Sequence, residues 1–127
     1  MTLALQYNRL LSIGVTLGTL FLFVWKFAEL PDLGTDHFDK VSHLILFFVV
    51  GCCYINTATD GFKKIEFPRF MAGFIAALGY GALVEIAQFF IPWRSAELLD
   101  LAADGLGVCL ALIYCLHIRK RLEPSRA

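Results

Sequence analysis

A chain of 127 residues, of which 58% are hydrophobic and only 17% are charged, carries more apolar surface than a water-soluble domain of its length can bury. Its formal net charge is zero and no nucleic-acid-binding motif is present, so we expect no nucleic-acid partner. The length suits a single domain over residues 1–127, and the apolar residues fall into blocks that predict an integral membrane protein.

Four predicted spans follow one another, each near the length of about 20 apolar residues that crosses a bilayer. They cover about residues 10–27, 39–58, 70–91 and 98–117. The first contains Gly14 and Gly18, whose GxxxG spacing predicts a packing face, and no A-x-A-like cleavage site follows it, so it should remain as an anchor. The predicted fold class is all-α, a polytopic four-helix transmembrane bundle.

Loop charges predict the orientation of these spans. The segment after the first span is mostly acidic, whereas the segment after the second and the C-terminal tail carry basic residues: Lys63, Lys64, Arg69, Arg119, Lys120, Arg121 and Arg126. Because basic residues concentrate on the cytoplasmic side, both termini and the middle loop are predicted to be cytoplasmic.

The third span interrupts its apolar sequence with Glu85 and Gln88, and helical spacing indicates where Glu85 points. Gly73, Ala77, Gly81 and Glu85 recur every four residues and form one stripe. Small residues at this spacing let membrane helices approach closely, and a carboxylate facing lipid would cost at least about 2.5 kcal/mol. Glu85 is therefore predicted to face protein.

Two other spans carry ionisable residues at a similar depth. Asp100 and Asp104 share a face of the fourth span, and Asp39 and His43 lie one turn apart in the second. With a rise of about 1.5 Å per residue, these residues and Glu85 all fall in the outer half of the membrane. We therefore expect ionisable side chains from three helices to converge there.

The same residues carry a resemblance to the VanZ-like family of small bacterial membrane proteins. The segment FDKVSHLILFFVVG resembles the family's D-K-x-x-H-x-x-x-F pattern, and EIAQFFIPWRSAELLDLAADGLG resembles its E-x-x-Q, P-x-R and D-x-x-x-N-x-x-G series. The match covers Asp39 to Gly107, and Asp104 stands where the family usually has asparagine. The resemblance implies a role in the cell envelope, in a family named after a protein linked to glycopeptide resistance, and a place in the bacterial cytoplasmic (inner) membrane.

The predicted binding residues have both a structural and a functional interpretation. They are Asp39, Lys40, His43, Glu85, Gln88, Arg94, Asp100 and Asp104. Structurally, Asp39 would start a helix and Lys40 would extend to the interface, while Glu85 and Gln88 would clamp helices together. Functionally, His43 would carry a proton or bind a ligand.

Arg94 and the aspartates leave further alternatives open. Arg94 would form an internal ion pair or bind a lipid phosphate through its guanidinium. Asp100, Asp104, His43 and Glu85 offer oxygen and nitrogen ligands for a divalent metal, but one histidine without zinc-like spacing argues against it. Neither the spacing nor the cysteines, Cys52, Cys53, Cys109 and Cys115, indicate a zinc site, so we expect no metal and no cofactor.

Three functions fit these observations. The leading hypothesis is an outward-facing polar pocket that binds the head group of a membrane lipid, a glycolipid or a lipopeptide, including a lipid-linked envelope precursor. The second is a membrane enzyme acting on a lipid-linked substrate, with Glu85, His43 and Asp104 as candidate acid–base residues. The third is a structural protein in which the polar groups only lock the bundle. Whether the protein is an enzyme stays open at this level.

Overall fold

The computed structural model describes residues 3–25, 35–63, 66–93 and 97–122, with side chains in the second stretch described from residue 38. Within these ranges the chain forms four α-helices and no strand: α1 Leu3–Val24, α2 Thr35–Ala58, α3 Phe67–Phe89 and α4 Leu98–Leu122. Each helix is long and apolar enough to cross a membrane. The predicted all-α four-helix fold is confirmed, and the chain is a multi-pass membrane protein.

Two helices begin earlier than the hydrophobic blocks indicated. α1 starts at Leu3 instead of about residue 10, because the preceding segment LALQYNR includes strong helix formers and continues the helix beyond its apolar part. α2 starts at Thr35, one turn before Asp39, so Asp39 is not the first residue of its helix.

The bounds of α3 and α4 also shift. α3 runs over Phe67–Phe89 instead of about 70–91, with Pro68 in the first turn, where a missing N–H costs nothing. α4 continues past His117 to Leu122. Its last turn carries Arg119, Lys120 and Arg121, whose charges interact favourably with the negative end of the helix dipole.

The helices run alternately up and down through the bundle. Near one end, the ring of Phe23 in the last turn of α1 lies 4.2 Å from the ring of His43 in α2. At the other end, the Arg119 guanidinium near the end of α4 lies 5.8 Å from the ring of Phe70 near the start of α3. We call the end where α1 and α3 finish and α2 and α4 begin the polar end, and the other the opposite end.

The closest contacts between helices occur at small residues. The stripe of small residues on the third span predicted such a close approach. Gly73 is buried, and a Cβ atom placed on it would lie 2.6 Å from the Cα atom of Ile55. A Cβ atom on Gly107 would collide with the backbone carbonyl of Leu44. These contacts bring α3 and α4 against the backbone of α2, and α2 with α4 forms the most extensive pair of helices.

The predicted packing role of Gly14 and Gly18 is wrong. Both residues are exposed, and a Cβ atom placed on either would have no neighbour within 4 Å. The opposite face of α1 packs instead, through Ser12, Thr16 and Thr19. Their hydroxyl groups form side-chain hydrogen bonds of 2.7 Å to Thr57, 2.8 Å to Tyr54 and 2.9 Å to Tyr80, respectively. Hydrogen bonds and the apolar contacts of Phe23, and not close packing of glycines, therefore attach α1.

Candidate polar site within the membrane

Seven of the eight predicted binding residues lie in the described helices and form one polar cluster near the polar end. Its members are Asp39, Lys40 and His43 on α2, Glu85 and Gln88 on α3, and Asp100 and Asp104 on α4. The eighth, Arg94, lies outside the described residues. The predicted convergence of ionisable side chains from three helices is confirmed, because His43 lies within 4 Å of both Glu85 and Asp104.

The deep layer of the cluster consists of His43, Glu85 and Asp104. The Nδ1 atom of His43 lies 2.8 Å from Oδ1 of Asp104, which is a hydrogen bond. The same nitrogen lies 3.8 Å from Oε1 of Glu85. His43 is 0% and Asp104 is 2% exposed, so this layer is closed off from the surroundings of the bundle.

The shallow layer lies nearer the polar end and contains Asp39, Lys40 and Asp100. The Nζ atom of Lys40 is 2.9 Å from Oε2 of Glu97 and 3.5 Å from Oδ1 of Asp100. Asp100 is only 2% exposed, although it lies in the first turn of α4. Lys40 therefore pairs with two carboxylates of α4, in addition to any contact with the membrane interface.

α1 covers the cluster, a role that its sequence did not indicate. The ring of Phe23 lies 4.2 Å from the His43 ring and 5.9 Å from that of Phe47. The amide nitrogen Nε2 of Gln88 donates a hydrogen bond of 3.4 Å to the carbonyl of Phe23. Since the last carbonyls of a helix lack partners within it, this bond satisfies one of them. Phe23 thus closes the deep layer on the side of α1.

Several buried polar atoms of the cluster have no hydrogen-bond partner. They are Nε2 of His43, Oε1 of Glu85, Oε1 of Gln88, Oδ1 of Asp100 and Oδ2 of Asp104. Buried polar groups are nearly always paired in proteins, because desolvation without a compensating bond is unfavourable. Several buried atoms without partners in one cluster are therefore typical of a place that receives a ligand, a water molecule or an ion.

The cluster is also rich in negative charge. Among the described residues that form it, four carboxyl groups, of Asp39, Glu85, Asp100 and Asp104, face one lysine, Lys40, and one imidazole, His43. An unpaired charge inside a membrane protein is unfavourable and usually faces a partner or a functional cavity. Full neutralisation of these carboxylates would take protons, a bound cation or a basic side chain outside the described ranges.

Two sets of metal-ligating atoms occur in this cluster. One atom each from Asp39, His43 and Asp100 lie within 4.8 Å of one another, and so do one atom each from His43, Glu85 and Asp104. The ligands of each set come from two or three helices. Ligands that come from separate helices have no characteristic spacing in the sequence. The spacing of these residues therefore did not predict a metal site.

Sequence reasoning missed Phe23 and Glu97 as neighbours of the cluster. Glu97 precedes α4 and interacts with Lys40 across helices, which no local pattern reveals. Phe23 lies four residues after Thr19, on the face that also carries Ser12 and Thr16. This helical periodicity was the available signal for the packed face of α1.

In comparisons with known proteins, no family model, no curated protein and no solved structure matches the chain. The resemblance to the VanZ-like family therefore stays a prediction that depends on the residues quoted for it.

Proposed function

We propose that this chain is a VanZ-like protein of the bacterial cytoplasmic membrane whose polar cluster binds the head group of a lipid, glycolipid or lipopeptide at the outer face. The distribution of basic residues supports this orientation. Four basic residues belong to the opposite end: Lys63 between α2 and α3, Arg69 in the first turn of α3, and Lys120 and Arg121 in the last turn of α4. With that end in the cytoplasm, the polar end faces outward.

The observation that carries the proposal is two buried acceptors near the polar end that lack hydrogen bonds. Oε1 of Gln88 accepts none, and Oδ1 of Asp100 has only its 3.5 Å ion pair with Lys40. A purely structural lock would give both oxygens hydrogen-bond donors, because an unmade buried hydrogen bond costs about 1–3 kcal/mol. Hydroxyl or ammonium groups of a head group would supply the missing donors.

The test compares the lipids that accompany the protein. Wild type, Asp100→Asn and Glu66→Gln are extracted in polymer-bounded native discs, and their lipids are measured by mass spectrometry against the bulk membrane. Glu66 is an exposed carboxylate at the opposite end, paired with Arg69 at 3.1 Å, so its variant controls for loss of a negative charge.

Wild type and Glu66→Gln should be enriched in one lipid class with a hydroxyl- or amine-bearing head group, and Asp100→Asn should lose that enrichment. Equal lipid profiles in all three proteins would contradict the proposal. A loss of thermal stability in Asp100→Asn without any change in lipid profile would favour the structural alternative.

A second candidate function, acid–base catalysis on a lipid-linked substrate, is favoured by the state of His43. Its Nδ1 atom is held by Asp104 while its Nε2 atom has no partner, which is how an oriented imidazole serves a general acid or base. Because His43 is fully buried beneath Phe23, a substrate would reach it only after this ring moves aside. Incubation of the purified protein with a panel of lipid-linked envelope substrates tests this function. Turnover that disappears in His43→Gln would support it, and no turnover of any substrate would count against it.

A further inference from the structure

The deep layer presents three ligand atoms from three helices to one point. Nδ1 of His43 lies 2.8 Å from Oδ1 of Asp104 and 3.8 Å from Oε1 of Glu85. Ligand atoms bonded at about 2.0–2.2 Å to a tetrahedral ion lie roughly 3.4 Å apart. The two measured separations bracket that value, so small movements of these side chains would create the coordination geometry.

The hydrogen bond between Nδ1 of His43 and Oδ1 of Asp104 leaves other atoms of the deep layer without a partner, and a bound ion would replace that bond. Oε1 of Glu85 and Oδ2 of Asp104 are buried and unpartnered, although His43 is close to both residues. Gly81 lies beside Asp104, where even a Cβ atom would be 3.4 Å from Oδ2. The same Cβ atom would lie 3.1 Å from the Phe47 ring, so the glycine lets α3 approach closely beside this carboxylate.

We propose that His43, Glu85 and Asp104 form a binding site for one divalent metal ion of the Zn²⁺ class, enclosed within the helix bundle. The imidazole nitrogen and two carboxylates are ligands that Zn²⁺ commonly takes, and three protein ligands leave a fourth position open. The two carboxylates balance the two charges of the ion. A neutral filled site suits a membrane interior, where an unbalanced charge is unfavourable.

The deep layer is a better site for a cation than the shallow one. Asp39, His43 and Asp100 also bring three ligand atoms together, but Lys40 lies 3.5 Å from Asp100. Its ammonium group repels a second cation there. Within the described residues no lysine or arginine has an ion pair with Glu85 or Asp104, whose nearest basic group is His43.

This inference does not rest on the proposed function, because the atoms differ. Head-group binding was assigned to Asp100 and Gln88, whereas the metal would bind His43, Glu85 and Asp104. The two proposals can therefore fail separately, because Asp100→Asn tests lipid binding and Glu85→Gln tests metal binding.

The experiment uses the full chain in detergent micelles, stripped with a chelator and titrated with Co²⁺ as a spectroscopic substitute for Zn²⁺. Visible d–d absorption reports the coordination, and elemental analysis after Zn²⁺ loading gives the number of ions per chain. Glu85→Gln, Asp100→Asn and Glu66→Gln are compared with wild type, with helicity and size-exclusion profile as checks of folding.

Wild type, Asp100→Asn and Glu66→Gln should bind one ion per chain with the same spectrum, and Glu85→Gln should bind at least about tenfold more weakly, since even the loss of an outer-shell partner costs that much. Equal binding by Glu85→Gln, or a larger loss in Asp100→Asn than in Glu85→Gln, would overturn the assignment.

A second measurement covers the case in which Glu85→Gln does not fold. An ion that binds only the folded protein raises its thermal unfolding temperature. Metal-loaded wild type should therefore melt at a higher temperature than the stripped protein. The absence of both a shift and a Co²⁺ spectrum in wild type would refute the site.

Discussion

The imidazole of His43 on α2 and the carboxylate of Asp104 on α4 are joined by a 2.8 Å hydrogen bond where both side chains are fully enclosed. These helices are not consecutive in the sequence, yet they form the most extensive pair in the bundle. One hydrogen bond of the candidate site thus joins the two helices that share the most extensive contact.

Removal of the Asp104 side chain should destabilise the protein more than its conversion to the amide. Asp104→Ala leaves Nδ1 of His43 buried without its partner, which costs about 1–3 kcal/mol. Asp104→Asn retains an oxygen that can accept the bond. Thermal unfolding in detergent, followed by circular dichroism, should rank wild type and Asp104→Asn above Asp104→Ala. If Asp104→Ala unfolds at the same temperature as wild type, the hydrogen bond does not contribute to stability.

Two glycines of α4 should respond in opposite directions to alanine. Gly107→Ala places a methyl group against the carbonyl of Leu44 and forces α2 and α4 apart, at a cost of about 1–3 kcal/mol. A Cβ atom on Gly105 has no neighbour within 4 Å, so Gly105→Ala should be neutral or stabilise the helix by up to about 1 kcal/mol. Unfolding curves of the two variants measure the difference, and equal effects would contradict the close contact at Gly107.

The attachment of α1 should weaken when Tyr80 loses its hydroxyl group. This group donates to the carbonyl of Thr16 at 2.8 Å and lies 2.9 Å from the Thr19 hydroxyl. Such bonds contribute about 0.6 kcal/mol on average in membrane proteins, so Tyr80→Phe should lower the unfolding free energy by that order. The exposed Tyr114 provides the matched control, Tyr114→Phe, which should unfold with wild type. Identical unfolding of both variants would argue against the hydroxyl contacts.

Lys40 should contribute to stability because its ammonium group compensates the negative charge of Asp100. In Lys40→Met, Asp100 loses the ammonium group that lies 3.5 Å away and stays buried, so the melting temperature should fall. Asp100→Asn should restore part of that loss in the Lys40→Met background, since no unpaired charge then remains. Lys120→Met, at an exposed site of the opposite end, controls for loss of a lysine and should have no effect. Additive effects of the two substitutions would show that the pair is not coupled.

The predicted orientation can be measured with fusions to the C-terminus. Green fluorescent protein matures in the cytoplasm, whereas alkaline phosphatase is active only outside it. If basic residues direct the opposite end inward, the fluorescent fusion should be bright and the phosphatase fusion inactive. The reverse pattern would place the polar cluster on the cytoplasmic side and rule out binding at the outer face.

Periodicity was sufficient to predict the number of helices and the packed face of α3. Gly73, Ala77 and Gly81 lie on that face because four-residue spacing and small size leave few alternatives, and Glu85 follows them into the protein interior. Equal depth predicted the cluster in the same way, since ionisable residues at one level of three helices avoid lipid by facing each other. Once these helices pack as a bundle, their side chains meet near His43.

The packed face of α1 could not be predicted in the same way. Gly14 and Gly18 form one small-residue stripe, and Ser12, Thr16 and Thr19 form another on a different face. Which stripe packs depends on hydroxyl groups of other helices, such as that of Tyr80, and no local pattern contains them. The same limit applies to Glu97 and Lys40, whose contact joins residues far apart in the sequence.

The position of Asp104 on α4 has a consequence for biogenesis. Of the four helices, α4 leaves the ribosome last, so His43 on α2 emerges well before the carboxylate that binds its imidazole. The second helix therefore enters the bilayer with a polar ring whose partner arrives only when the fourth helix inserts.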